Sequence, residues 1–143
     1  MSNYTSTYPT DTKVDPGIKT FFEEFYKISD TPNAHDLYAQ QFTKDAVLVM
    51  ASKRCEGSDE ILTLRKGMWE KVAARHHNPL KIFPFGSGSE ELMLHGTVDY
   101  ELKDGKKAKV DWAAKADMAK EEGKWKMKFY QVYLDTAAMA NAK

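Results

Sequence analysis

The sequence has a single cysteine, Cys55, among 143 residues. An internal disulfide is therefore excluded, and no Cys/His spacing resembles a zinc site, so no metal is expected. Charge of one sign is not in excess. The 21 basic residues balance 21 acidic ones, which removes any global field drawing the chain to nucleic acid or an anionic membrane. No apolar run approaches the roughly 18 residues of a membrane span. The opening stretch, Met1 to Thr10, has neither the basic nor the hydrophobic region of a secretory signal. These absences point to a soluble, cytoplasmic globular protein, and a lone cysteine fits a reducing compartment. The length predicts one domain with a real core.

What is present divides into a helical first part and a strand-rich remainder. Residues 1–14 are Ser/Thr/Tyr-rich without periodicity and read as a flexible tail; 15–135 read as the domain, and 136–143 as a second tail. Asp15-Pro16 supplies an N-cap and a proline at the first helical position. Ile18, Phe21, Phe22, Phe25 and Ile28 then recur at helical spacing, ending near Ser29-Asp30. A shorter helix is expected from Ala34 to Gln41. A third, opened by Ser58 and carrying Ile61, Leu64, Met68 and Val72 on one stripe, is expected to run to about Arg75.

The strands are expected at Ala46–Ala51, Leu80–Phe85, Leu92–Leu102, Ala108–Met118 and Gly123–Asp135. The last alternates clearly. Trp125, Met127, Phe129, Gln131 and Tyr133 point one way, and Lys126, Lys128, Tyr130, Val132 and Leu134 the other. A three-residue loop over Asp104, Gly105 and Lys106 pairs Tyr100 with Val110, Val98 with Trp112 and Gly96 with Ala114. That register keeps Lys109, Asp111 and Lys115 off the apolar face. Across the following turn, Met118 falls by Trp125, Ala116 by Met127, Ala114 by Phe129, Trp112 by Gln131 and Val110 by Tyr133. The expected fold class is α+β: a cone-like curved antiparallel sheet covered by three helices.

This element order resembles the nuclear-transport-factor-2-like superfamily, and within it the SnoaL-like group. The resemblance is carried by Phe42-Thr-Lys-Asp-Ala-Val-Leu-Val-Met50, Gly57-Ser-Asp-Glu-Ile61 and Gly123-Lys-Trp-Lys-Met127. Arg65 to Val72 and Lys81 to Gly86 are most similar to small fungal members. It covers about Pro16 to Asp135 and is specific for fold, not activity, because this fold hosts cyclases, isomerases, dehydratases and plain binding modules.

The resemblance implies a pocket between sheet and helices, with Tyr26, Tyr38, Met50, Met68, Trp69, Trp112, Gln131 and Tyr133 as candidate lining for a small hydrophobic molecule. Each aromatic or methionine taken alone reads more readily as core, whereas an amide such as Gln131 on an apolar face needs a partner. His76 and Tyr26 are the candidate catalytic residues, with His77 expected to face away from His76. Asp99 and Asp111 fall opposite each other on the outer face in this register. Steroid isomerases of the superfamily place an aspartate near the end of the first strand. Here that stretch is Val49-Met50-Ala51, so their mechanism does not carry over. Tyr26, Tyr38 and His76 suggest instead the tyrosine–histidine constellation of the dehydratase branch. Outer-face Met93, Thr97, Tyr130, Val132 and Leu134 form an apolar patch that points to a homodimer. Two readings follow, without a cofactor in either: a dehydratase, isomerase or cyclase of a hydrophobic metabolite, or a non-catalytic ligand-binding or dimerisation module.

Overall fold

A computed structural model describes residues 4–143. The chain enters its first helix, α1 (Pro16–Ser29), through the expected cap, the Asp15 carboxylate accepting the Gly17 N–H at 2.7 Å. Pro16 sits in the first turn, where a missing N–H leaves nothing unpaired. Ile18, Phe21, Phe22, Phe25 and Tyr26 fall on one stripe and are all buried. Burying each such side chain contributes about 1.5–3 kcal/mol, so this stripe fixes α1 to the sheet. Helix α2 (His35–Ala39) adds Tyr38, and α3 (Gly57–Gly67) adds Ile61.

Six strands form one sheet: β1 (Phe42–Met50), β2 (Lys53–Glu56), β3 (Val72–Pro84), β4 (Glu91–Leu102), β5 (Lys107–Glu121) and β6 (Lys124–Leu134). Their spatial order is β2-β1-β6-β5-β4-β3, with β1 parallel to β6 and the other neighbours antiparallel. The α+β class and the helix-covered curved sheet are as the sequence led us to expect. The short β2 was not anticipated; it is Lys53–Glu56 folded back on β1.

Helix α3 stops at Gly67 rather than near Arg75. The continuing pattern of Met68 and Val72 mimics a helix, but β4 needs a partner along its whole length. Residues 72–84 supply it, pairing Arg75 with Tyr100, His77 with Val98 and Ile82 with Leu94. Non-local pairing here overrides a weak local period.

The β4–β5 hairpin keeps the expected faces but slides by two residues, pairing Val98 with Val110, Gly96 with Trp112 and Leu94 with Ala114. The loop is Lys103-Asp104-Gly105, closed by the Leu102 N–H on the Lys106 carbonyl at 2.8 Å. Its last position is left-handed, and Gly105 fills it at φ 90°, which the expected loop would have demanded of Lys106. Asp99 thereby faces Lys109, and Asp111 faces Thr97, so the expected carboxylate pair does not form.

The larger correction lies in β6. Met118 pairs with Met127, but Asp117 pairs with Phe129, so Lys128 is an extra residue bulged out of the ladder. Beyond it every side chain changes face. Tyr130 and Val132 are buried inside, while Tyr133 is 46% exposed. The expected inward Phe129, Gln131 and Tyr133 therefore point outward, and the expected outward Tyr130, Val132 and Leu134 line the interior. Without the bulge, the interior would hold an amide and a phenol in place of Val132 and Leu134.

The described residues of both expected tails, 4–14 and 136–143, pack against the domain, and residues 1–3 lie outside the described part. Thr7 bridges the free edge of β3 through its N–H to the Leu80 carbonyl at 3.0 Å, and its carbonyl accepts the Ile82 N–H at 3.1 Å. Tyr4, Tyr8 and Val14 pack on the core. At the other end, α4 (Ala137–Ala140) brings Lys143 into a reciprocal main-chain pair with Lys107. No helix among the described residues is long and apolar enough to cross a membrane.

Gly96 lies where β3 bulges against β4. A Cβ there would come 2.2 Å from the Asn78 carbonyl oxygen and 3.0 Å from Trp112 Cζ2. Because backbone must move to admit it, Gly96→Ala is expected to lose about 1–3 kcal/mol of stability, measured by urea unfolding.

Candidate active site

Asp30, the C-cap of α1, carries a carboxylate that reaches the interior at the β3 edge. Its side chain is 6% exposed. Being at the sheet edge, β3 leaves the His77 N–H free, and Asp30 Oδ2 accepts it at 2.8 Å. Asp30 Oδ1 lies 2.6 Å from His77 Nδ1. One carboxylate thus holds both the main chain and the ring of the same residue. With Nδ1–H donating to Asp30, Nε2 keeps its lone pair for other chemistry. The His77 ring packs 5.2 Å from Tyr26 and 5.8 Å from Trp112, centroid to centroid.

His76 is the more exposed of the pair, yet its Nδ1 lies 3.8 Å from Asp30 Oδ2 and 3.5 Å from the Tyr4 hydroxyl, so both histidines approach the same carboxylate. Its side chain is 45% exposed against 15% for His77. It lies 5.3 Å from the Tyr4 ring and lines an outer cleft with Asp99 and Glu101. The structure places His76 outside the cavity and His77 inside it. Sequence reasoning favoured His76 because the expected helix ran too far; a strand through this pair exchanges their positions.

His77 borders an internal cavity of about 40 Å³. Tyr38, Met50, Met68 and Trp112, four of the expected lining residues, are in its wall, joined by Ser29, Arg75, Tyr100, Tyr130 and Val132 among others. Trp69 stands behind the wall, its ring 4.6 Å from the Arg75 guanidinium. Gln131 and Tyr133 are carried outside by the β6 bulge. Tyr26 lies behind Tyr130, their hydroxyls 2.8 Å apart. Burial pushes both phenols well above their ordinary range, and Tyr38 up to about 12. They can serve as hydrogen-bond donors at neutral pH and not as phenolates. A larger open groove of about 780 Å³ lies outside, between β2 and α3, walled by Lys53, Cys55, Asp59, Glu60 and Met68. His77 is not in its wall, so the cavity that His77 borders is the better chemical site despite its size. Met68 belongs to both walls.

Two arginines escaped the sequence reading. Arg65 follows Ile61 by four residues on the buried face of α3 and is fully buried. Its Nη1 donates to the Ser29 carbonyl at 2.6 Å, its Nη2 to the Thr31 carbonyl at 2.5 Å, and its Nε to His35 Nδ1 at 3.2 Å. The carbonyls left open at the end of α1 thus gain a cationic donor. Burial lowers the Arg65 pKa to about 10, which leaves it charged at neutral pH. Arg75 lies inward on β3, two residues before His77, between Trp69 and Tyr100. The signal for both was spacing: Ile61/Arg65 along a helix face and Arg75/His77 on one strand face.

No protein-family model matches the chain, and no curated protein matches it either. Solved structures do. The chain superposes on nuclear transport factor 2 from Cryptosporidium parvum with a TM-score of 0.67 at 12% identity, over 87% of this chain and 100% of that one. A Novosphingobium aromaticivorans protein provisionally described as a scytalone dehydratase gives 0.74 at 14% identity, over 84% and 83% of the two chains. A type 2 hexachlorocyclohexane dehydrochlorinase gives 0.68 at 12% identity, over 83% of each. The chain has the nuclear-transport-factor-2-like fold.

The Arg65–His35 contact requires a neutral imidazole. Burial, then the charges of Arg65 and Lys66, hold the His35 pKa below its ordinary 6.5. The unfolded chain therefore binds the proton more readily, and the contact's stabilisation is complete above pH 6.5 and lost as pH falls below it. Thermal melts are expected to show a decline in Tm on acidification through this window, shallower in His35→Asn.

Proposed function

We propose that the protein is a cofactor-free enzyme that removes a proton from a small hydrophobic molecule held in the cone, in a dehydration or isomerisation. The observation that carries this is the buried 2.6 Å contact between Asp30 Oδ1 and His77 Nδ1 beside a cavity. In this reading His77 Nε2 is the general base and Asp30 stabilises the imidazolium that forms. The Tyr130 hydroxyl, aligned by Tyr26, donates a hydrogen bond to the departing or enolising oxygen. The His77 imidazolium passes the abstracted proton on, to the leaving hydroxide as water or to the isomerised product, which restores the neutral imidazole. His76 and Tyr26, the residues that stand out in sequence, become neighbours of the working pair. Two structures sharing the fold are named for eliminations, which agrees with this chemistry. The substrate enters from the outer groove by displacement of Met68, whose unbranched side chain yields easily. A cytoplasmic setting is part of the same proposal.

The test uses a panel of β-hydroxy carbonyl compounds, following alkene formation by ultraviolet absorbance and C–H exchange in D₂O. His77→Gln and Asp30→Asn are expected to lower the rate about 10²–10⁴-fold, while His76→Gln keeps most of it. Loss in His76→Gln with His77→Gln unaffected would overturn the assignment. The second reading, a binding module without turnover, is favoured by the cavity's size, room for about three waters. It predicts no exchange with any panel member and an effect of Asp30→Asn on stability alone.

We also propose a homodimer through the outer sheet face. The β6 bulge changes the residues that form it. Tyr130, Val132 and Leu134 leave the patch, Met93 and Thr97 remain, and exposed Leu80, Phe83 and Tyr133 join them. Light scattering after gel filtration is expected to give a dimer mass, reduced to monomer by Tyr133→Glu with Met93→Glu; a wild-type monomer at all concentrations would refute it.

A further inference from the structure

The interior carries one more positive charge than it can pair. Arg65 and Arg75 are both buried, and Asp30, the carboxylate whose field reaches both, is taken up by contacts with His77, His76 and Tyr4. Arg65 is hydrogen-bonded to main-chain carbonyls and His35. Arg75 is not comparably satisfied. It is 8% exposed, its Nη2 donates to the Met68 carbonyl, and its Nε has no acceptor. No carboxylate forms an ion pair with it among the described residues. Trp112, in the same cavity wall, also buries an N–H without an acceptor. Each orphaned buried donor costs about 1–3 kcal/mol, and a buried unpaired charge more. Trp69 Nε1, behind the wall, is a third such donor; of the two that border the cavity, the Arg75 guanidinium is charged.

From this we infer that the cavity takes a monoanion, a small carboxylate, anchored by Arg75 and hydrogen-bonded by Trp112 Nε1. Arg75 and His77 share one face of β3, so a carboxylate on Arg75 would set the adjoining carbon near the His77 ring. A volume of about 40 Å³ limits the group held beside Arg75 to about the size of a carboxylate. The inference rests on the cavity being the substrate site and specifies the substrate class as carboxylic acids.

The probe is acetate, compared with chloride at equal ionic strength and with acetamide, its neutral counterpart. Acetate is expected to raise Tm saturably, and acetamide and chloride to leave it unchanged. Arg75→Met, which removes an unpaired buried charge but keeps the bulk, is expected to melt at or above wild type without acetate and to lose the acetate response. Trp112→Phe keeps the ring, removes the N–H, and is expected to weaken acetate binding roughly tenfold. That variant, with the acetate–acetamide comparison on wild type, decides the matter should Arg75→Met not fold. Equal shifts with acetate and acetamide, or an acetate shift retained in Arg75→Met, would overturn the anion site. Acetate binding lost in Arg75→Met, with no exchange on any panel compound, would support the anion site and remove only the catalytic reading. Exchange on neutral compounds by His77, with no acetate response, would do the reverse.

Discussion

A single extra residue in β6 decides what the interior of this protein is made of. With Lys128 bulged between Met127 and Phe129, the strand presents Met127 inward before the bulge and Tyr130, Val132 and Leu134 inward after it. Tyr130 can then reach Tyr26, and Val132 can close the wall beside His77. The same inversion clears Gln131 and Tyr133 from the cavity and moves them to the outer face. A sheet so strongly curved needs such breaks, and β3 has two more, between Val72 and Ala74 and between Pro79 and Lys81. The second adjoins the close approach of Gly96 to Asn78.

The site itself is assembled where α1 ends. A helix terminus leaves carbonyls without partners, and here Arg65 reaches from α3 to bind those of Ser29 and Thr31. That contact fixes the residues on either side of Asp30, so its carboxylate meets the β3 edge at His77. The electrostatic balance around it is unusual for a core, with two guanidinium groups held largely by carbonyls and aromatic faces rather than by carboxylates. Likeness to solved structures at 12–18% identity establishes the architecture and leaves the chemistry to these particular side chains.

Much of the site was legible as residue types and little as geometry. Tyr38, Met50, Met68 and Trp112 were recognisable because they sit on strongly patterned segments whose inward face is unambiguous. Arg65 and Arg75 were not, because charged residues are ordinarily solvated, so their spacing from Ile61 and His77 did not read as burial. Asp30 read as the end of a helix. Its partner His77 lies 47 residues further on, and no short-range pattern connects them.

Sequence by itself determined the α+β class, the capped and amphipathic α1, the long terminal hairpins and the parity of β4 against β5. These follow from local sterics and from periodicities of 3.6 and 2, which neighbouring residues impose on one another. Only the tertiary structure decided where α3 yields to β3, which histidine faces inward, and which half of β6 changes face. Each is a choice between nearly equal local conformations, settled by what the rest of the chain needs: a partner strand for β4, an acceptor for a free edge N–H, and an apolar rather than an amide surface inside the cone.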